Sequence, residues 1–302
     1  MNNTKLYDAS VIIPVYNQKN SLAVTLTFFN FQTYSHDRFE VIVIDDGSTD
    51  NLQQYFEEHL RYGVSYDIRY MRQENKGRAA ARNAGVLLAN GKRLIFCDAD
   101  RFPDKNYVKK HIEEGMIGEK IAVIGCPMEF FGKLGILSSE KPNIYMQKIK
   151  KYSRAPAYYK KITSVFNAEG FTDSKIVWAA FLVGNSSMDL EEFIKVEKFD
   201  EDFKSWGFEH FELALRMQLD GVIFRNSPDI LNFHIPHARG IGFYERGLEY
   251  SIEMLKKKHE KYNFECFYRF FKGELSLQEF EYQFSGDICK EIRECDSILY
   301  KI

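Results

Sequence analysis

Cysteine is scarce in this chain: five among 302 residues, at Cys97, Cys126, Cys266, Cys289 and Cys295. They are odd in number, scattered, and form no Cys-x-x-Cys pair, which excludes a disulfide framework and a cysteine-based zinc site. Reduced thiols and a cytoplasmic location are the expectation. Proline is also rare, at seven residues, so a proline-rich linker or low-complexity scaffold is excluded. No apolar run approaches the ~20 residues that cross a bilayer. No transmembrane segment is therefore expected, which leaves peripheral membrane contact open. Residues Met1 to Ser10 lack a basic start followed by an apolar stretch, so no signal peptide is expected. Neither sign of charge dominates. Lys plus Arg is 41 against 43 Asp plus Glu, a net charge of -2. That balance argues against nucleic acid as a partner bound through a basic surface.

What is present is a large apolar and aromatic content. Hydrophobic residues are 45% and aromatic residues 15% of the chain, enough for a substantial core, as one large α/β domain or one with an appendage. The rings serve a core or a stacking platform for bases and sugars, and composition does not separate the two.

The first half alternates strands with helices. Ala9 to Val15 is a short buried strand stopped at Tyr16-Asn17. Leu22, Leu26 and Phe29 then recur at helical spacing. Phe39 to Ile44 is a second buried strand running into Asp45-Asp46-Gly47-Ser48, after which Thr49 or Asp50 is expected to cap a helix. Ile68 to Met71 reads as a third strand and the alanine-rich stretch from Arg78 to Ala89 as a helix. Arg93 to Cys97 is the fourth strand. This order predicts a mostly parallel sheet flanked by helices, with ligands at the carboxyl ends of its strands.

The basic, tyrosine-rich run from Lys148 to Lys161 reads as a mobile surface segment. Ile176 to Val183 is apolar and closes on Gly184-Asn185-Ser186-Ser187. Phe208 to Leu219 is helical by period, and Val222 to Phe224 and Ile230 to Phe233 are short strands. Beyond Tyr244 only helical patterns remain, with Ser276 and Glu279 forming a capping box and Asp287 capping a last helix. The expected organisation is a catalytic domain over residues 1–244 and a helical extension over 245–302.

Chemistry-bearing residues fall at the strand ends. In an extended chain Asp98 and Asp100 project to one side, where two carboxylates suit Mg²⁺ or Mn²⁺. Asp45 and Asp46 make either a strand-ending turn or acceptors for a nucleobase or ribose, with Tyr16 placed to stack on the base. Lys76, Arg78 and Arg82 lie at a helix start, where phosphate is favoured. His234 and His237 are candidates to supply an imidazole to the same cation.

The segments VIIPVYN, EVIVIDDGSTD, NKGRAAARNAG and LIFCDAD occur in that order. As a set they resemble the family 2 glycosyltransferases of the GT-A nucleotide-diphospho-sugar fold, over roughly residues 8 to 240. Trp206 to Leu213 (WGFEHFEL) resembles the acceptor-side motif of the galactosyltransferase and chondroitin-polymerase type, and His234 to His237 its downstream histidine segment. The resemblance implies that Pro14, Tyr16, Asp46 and Asp45 bind uracil or another base and that Arg78 lies near the pyrophosphate. It implies Asp98 and Asp100 as the metal-binding pair, completed by His237 or His234, and Glu209 at the acceptor. The family's usual Asp after that Glu is His210 here, so the base is Glu209 or His210.

The expected function is a metal-dependent glycosyltransferase that inverts the anomeric centre. It would move a sugar from a nucleotide-diphosphate donor, UDP-linked first, to a carbohydrate, lipid-linked or peptide acceptor. The alternatives are a nucleotidyltransferase, which should carry a Gly-rich basic loop that Pro14 to Asn17 lacks, and a non-catalytic binding module for nucleotide sugars or carbohydrate.

Overall fold

The structure is a computed structural model that describes residues 5–132, 142–204, 207–234 and 243–286. The sequence of elements is β1 (Tyr7–Val15), α1 (Lys19–Phe29), β2 (Phe39–Asp45), α2 (Leu52–Tyr55), β3 (Asp67–Arg72), α3 (Arg78–Leu88), β4 (Gly91–Cys97), β5 (Arg101–Pro103), α4 (Tyr107–Gly115) and β6 (Ile121–Phe130). It continues through α5 (Pro142–Lys151), β7 (Ser153–Arg154), α6 (Ala157–Ile162), β8 (Asn185–Asp189), α7 (Leu190–Lys195), α8 (Glu209–Leu219) and β9 (Ile223–His234). Three helices follow: α9 (Phe243–Lys258), α10 (Phe264–Phe271) and α11 (Leu277–Ser285).

All but one of the strands lie in the order β3-β2-β1-β4-β8-β6-β9-β5, with β7 paired to β6. The expected parallel arrangement holds for β3, β2, β1 and β4. It stops there, because β8 runs antiparallel to both β4 and β6. The sheet as a whole is mixed. Alternation along the strands sends Ile12, Ile42, Ile44, Leu94 and Phe96 into one core and Val11, Ile13, Val41, Val43 and Ile95 into the other. Helices α1 and α4 cover the second face with Leu22, Leu26, Phe29, Val108 and Ile112, while α3 and α8 cover the first. Each such side chain contributes about 1.5–3 kcal/mol by leaving water.

Two sequence expectations give way to packing. The basic run is not a mobile segment: Tyr158 and Tyr159 on α6 are buried, with the Tyr158 hydroxyl donating to the carbonyl of Ala179 at 2.8 Å. The residues Gly184 to Ser187 do not merely close an apolar segment, since Asn185–Asp189 is a strand inside the sheet. Its polar side chains are tolerated because each has a partner. Arg93 Nε donates to Ser187 Oγ at 2.9 Å, His111 Nδ1 lies 2.9 Å from that same oxygen, and His111 Nε2 lies 3.1 Å from Asn185 Oδ1.

Burial, and then the Arg93 charge, push the His111 imidazole down to about 3 from its ordinary value near 6.5. As pH falls through 6.5 the unfolded chain takes up a proton there and the folded chain does not, so stability falls. Between pH 6.5 and 4.5 this group should remove about 2 kcal/mol of stability. Urea unfolding of the wild type and His111→Asn at the two pH values checks it: the stability gap between them should shrink at pH 4.5. Parallel losses in both would remove His111 as the cause.

The helices after β9 join the first core. Phe267, Phe270 and Phe271 of α10 and Phe280 and Phe284 of α11 pack with Trp178, Phe208 and Phe211 in one cluster. Ser276 and Glu279 form the capping box that starts α11. Asp287 lies outside the described residues.

Candidate active site

The loops after β1, β2 and β4 meet at the carboxyl ends of the parallel strands. Asn17, at φ 52, holds the first two together: its amide donates to Ser48 Oγ at 2.9 Å and its side chain accepts from the Thr49 amide at 2.7 Å. Asp45 is buried and accepts from the Ser48 amide at 2.7 Å and the Tyr70 hydroxyl at 2.6 Å. Asp46 accepts from the amides of Lys76 and Gly77, each at 2.9 Å, and from Gln73 Nε2 at 2.7 Å. Gly47, at φ 82, makes that approach feasible, because a Cβ there would stand 2.9 Å from the Asn75 nitrogen. Both carboxylates thus bind their own chain and shape the loop over residues 73–77. Pro14 is half-buried, and Tyr16 is 48% exposed at the mouth of this cluster.

After β4 the chain does not stay extended. The Arg101 amide donates to the carbonyl of Asp98 at 3.1 Å, closing a turn. Asp98 and Asp100 therefore stand in a turn and not in the extended chain from which a common direction was expected. Arg82 Nη2 donates to Asp98 Oδ1 at 2.9 Å, and Arg101 Nε lies 3.6 Å from Oδ2. Gly184 packs against this carboxylate; a Cβ there would come within 2.5 Å of Asp98 Oδ2. Asp100 instead accepts from Gln18 Nε2 at 2.8 Å and faces His234 Nε2 at 3.6 Å. The other ring nitrogen of His234 lies 2.5 Å from Glu129 Oε2. Burial pushes the Asp100 carboxyl up, but His234, Arg101 and Gln18 outweigh it and hold it below the usual carboxylate range. Among the described residues no three His, Cys, Asp or Glu side chains converge to hold a metal ion. His237 lies outside the described residues.

Glu209 is the first residue of α8, presented by Gly207 and Phe208, both at positive φ. It is buried, and Oε1 accepts from Arg82 Nη1 at 2.8 Å. Its Oε2 has no hydrogen-bond partner among the described residues, nor has His210 Nδ1, which sits 3.8 Å away. Burial pushes the Glu209 carboxyl up, but the neighbouring His210, Arg82 and Arg78 outweigh it and keep the group ionised. Arg78 opens α3 at the surface.

Sequence reading grouped Arg82 with the cations at the helix start, whereas it is buried and serves two carboxylates instead of solvent. One signal was available: Arg82 shares its helix face with Ala79, Gly85 and Val86, at i−3, i+3 and i+4, small or apolar residues of a core-facing stripe. Gln18, Glu129 and Arg101 were missed too, and nothing local to them announces a site.

Residues 10–174 match a family model described as Glycosyl transferase family 2. A curated relative, validoxylamine A glucosyltransferase of Streptomyces hygroscopicus subsp. limoneus, is 31% identical over 83% of this chain, which spans 56% of that protein. Among solved structures, TarS 1-349 of S. aureus in complex with UDP matches with a TM-score of 0.56 at 17% identity, over 90% of this chain and 76% of that one. The mannosyltransferase PcManGT of Pyrobaculum calidifontis, in complex with GDP-Man and Mn²⁺, matches with a TM-score of 0.58 at 18% identity, over 85% of this chain and 65% of that one. These likenesses give the GT-A fold.

Proposed function

The chain belongs to glycosyl transferase family 2, and on that premise we propose that it transfers a hexosyl group, with inversion, from a UDP-linked donor to a nucleophile on a glycan, lipid-linked or peptide acceptor. One observation carries the reading. Arg82 joins Asp98, from the Asp-Ala-Asp segment, to Glu209, from the segment resembling an acceptor-side motif, so both segments meet at one buried guanidinium.

Tyr16 offers an exposed ring to the base, beside the loop that Asp46 shapes. Arg78, at the start of α3, favours the diphosphate through its charge and the helix N-terminus. A divalent ion suits the donor set beside it: the Asp100 carboxylate and the His234 imidazole face one another, and Glu129 fixes the ring through its other nitrogen. Two protein donors fit an ion held jointly by side chains and substrate phosphates. Bound Mn²⁺ or Mg²⁺ supplies charge neutralisation to the departing diphosphate. On the acceptor side, the unpartnered Glu209 Oε2 accepts the proton of the attacking nucleophile as the sugar moves in a single in-line displacement.

The test is mass spectrometry of products after incubation with a panel of nucleotide sugars and acceptors, with Mn²⁺ and with excess chelator. Transfer is expected with Mn²⁺ and loss in chelator, and Asp100→Asn should lower kcat by at least about 10²-fold. Full turnover in chelator would overturn the metal. Donor binding by calorimetry without turnover of any pair would favour a binding module, and release of pyrophosphate would favour nucleotidyl transfer.

A further inference from the structure

We propose that Arg82 is a positioning residue for the transfer, anchored on Asp98 and fixing the direction of the candidate base Glu209. The inference rests on the reading of Glu209 as the base. Its evidence is independent of that reading.

A buried guanidinium is costly unless its donors are used by well-placed acceptors. Arg82 is 2% exposed, and two of its nitrogens bind carboxylates from distant parts of the chain. Nη1 donates to Glu209 Oε1 at 2.8 Å and Nη2 to Asp98 Oδ1 at 2.9 Å. The Phe199 ring lies 5.5 Å from the guanidinium carbon and supports its plane. Asn83, the next residue, donates to the Phe199 carbonyl at 2.9 Å and accepts from the Phe199 amide at 3.1 Å, locking α3 to that segment. Each carboxylate is thereby held by one oxygen. For Glu209 the result is specific: Oε1 is occupied and Oε2 is left over, buried, with no hydrogen-bond partner among the described residues and with His210 Nδ1 3.8 Å away. A planar fork with fixed angles sets the direction of that oxygen. An ammonium in its place would hold charge but not direction.

Arg82→Lys should therefore lower kcat by about tenfold to a hundredfold, as expected for a reacting group displaced by about 1 Å. KM for the donor should move little. The decisive arm is the double variant. In a Glu209→Gln background Arg82→Lys should cause little further loss of kcat, because the group it positions is already gone. Unchanged kcat in Arg82→Lys would overturn the proposal, and so would an equal further loss in the Glu209→Gln background. If Glu209→Gln alone keeps wild-type kcat, the base assignment itself has failed, which is a different outcome. Should Arg82→Lys not fold, Phe199→Leu removes the ring support without touching either carboxylate. It should lower kcat several-fold with KM unmoved, and no change there would equally overturn the proposal.

Discussion

Glu209→Gln is expected to lower kcat by about 10²–10³-fold while donor KM stays near wild type. The substitution keeps the shape of the side chain and an oxygen for Arg82 Nη1. What it removes is the negative charge on the oxygen proposed to take the proton. The expected loss sits low in the range for general bases because the flanking cations reduce the basicity of this carboxylate. Burial alone would raise its pKa, but His210, Arg82 and Arg78 outweigh burial and set it below the ordinary carboxylate value. The sign follows directly. A base works when deprotonated, so activity is lost as pH falls through its pKa, and for Glu209 that fall lies below about 4.5. A kcat profile flat between pH 5 and 8, with His210→Ala near wild type, assigns the base to Glu209. Loss of kcat in His210→Ala, with Glu209→Gln near wild type, would hand the role to the imidazole.

The second large effect is on stability. Phe267→Ala should cost about 3–5 kcal/mol. The ring is fully buried and its centroid lies 4.8 Å from that of Trp178, 5.2 Å from Phe208 and 5.3 Å from Phe211. Phe208 and Phe211 flank Glu209 and His210 in sequence, so this cluster also fixes the start of α8. Loss of activity is expected at temperatures below the new unfolding midpoint. Truncation after Tyr244 removes six buried phenylalanines from the cluster at once, Phe264, Phe267, Phe270, Phe271, Phe280 and Phe284, and uncovers Trp178 and Phe211. Residues 1–244 alone should aggregate or lose near-ultraviolet circular dichroism. A truncated chain with wild-type Tm would make the C-terminal helices an independent appendage.

Much of the first half was decided by the sequence itself. Apolar runs ending in polar residues name β1, β2 and β4, because a strand covered on both faces has no polar side to offer. Ser276 and Glu279 announce the start of α11, since a capping box needs only residues three apart in sequence. The places of Tyr16, Asp45, Asp46, Asp98 and Asp100 at the ends of β1, β2 and β4 were legible for the same reason, since each follows an apolar run. Tertiary structure decided everything that depends on a distant partner. Asn185–Asp189 is polar and looks like a loop, and it is a strand only because Arg93 and His111 satisfy its side chains from other elements. The lysine and tyrosine run looks exposed, yet the two tyrosine rings of α6 fill the core beside Ala179. Spacing suggested Asp98 and Asp100 in an extended chain, and a turn closed at Arg101 gives them different partners, Arg82 and Gln18. Arg82 and Glu209 stand 127 residues apart. No local pattern joins them, because a hydrogen bond between distant segments is chosen by the packing that brings those segments together.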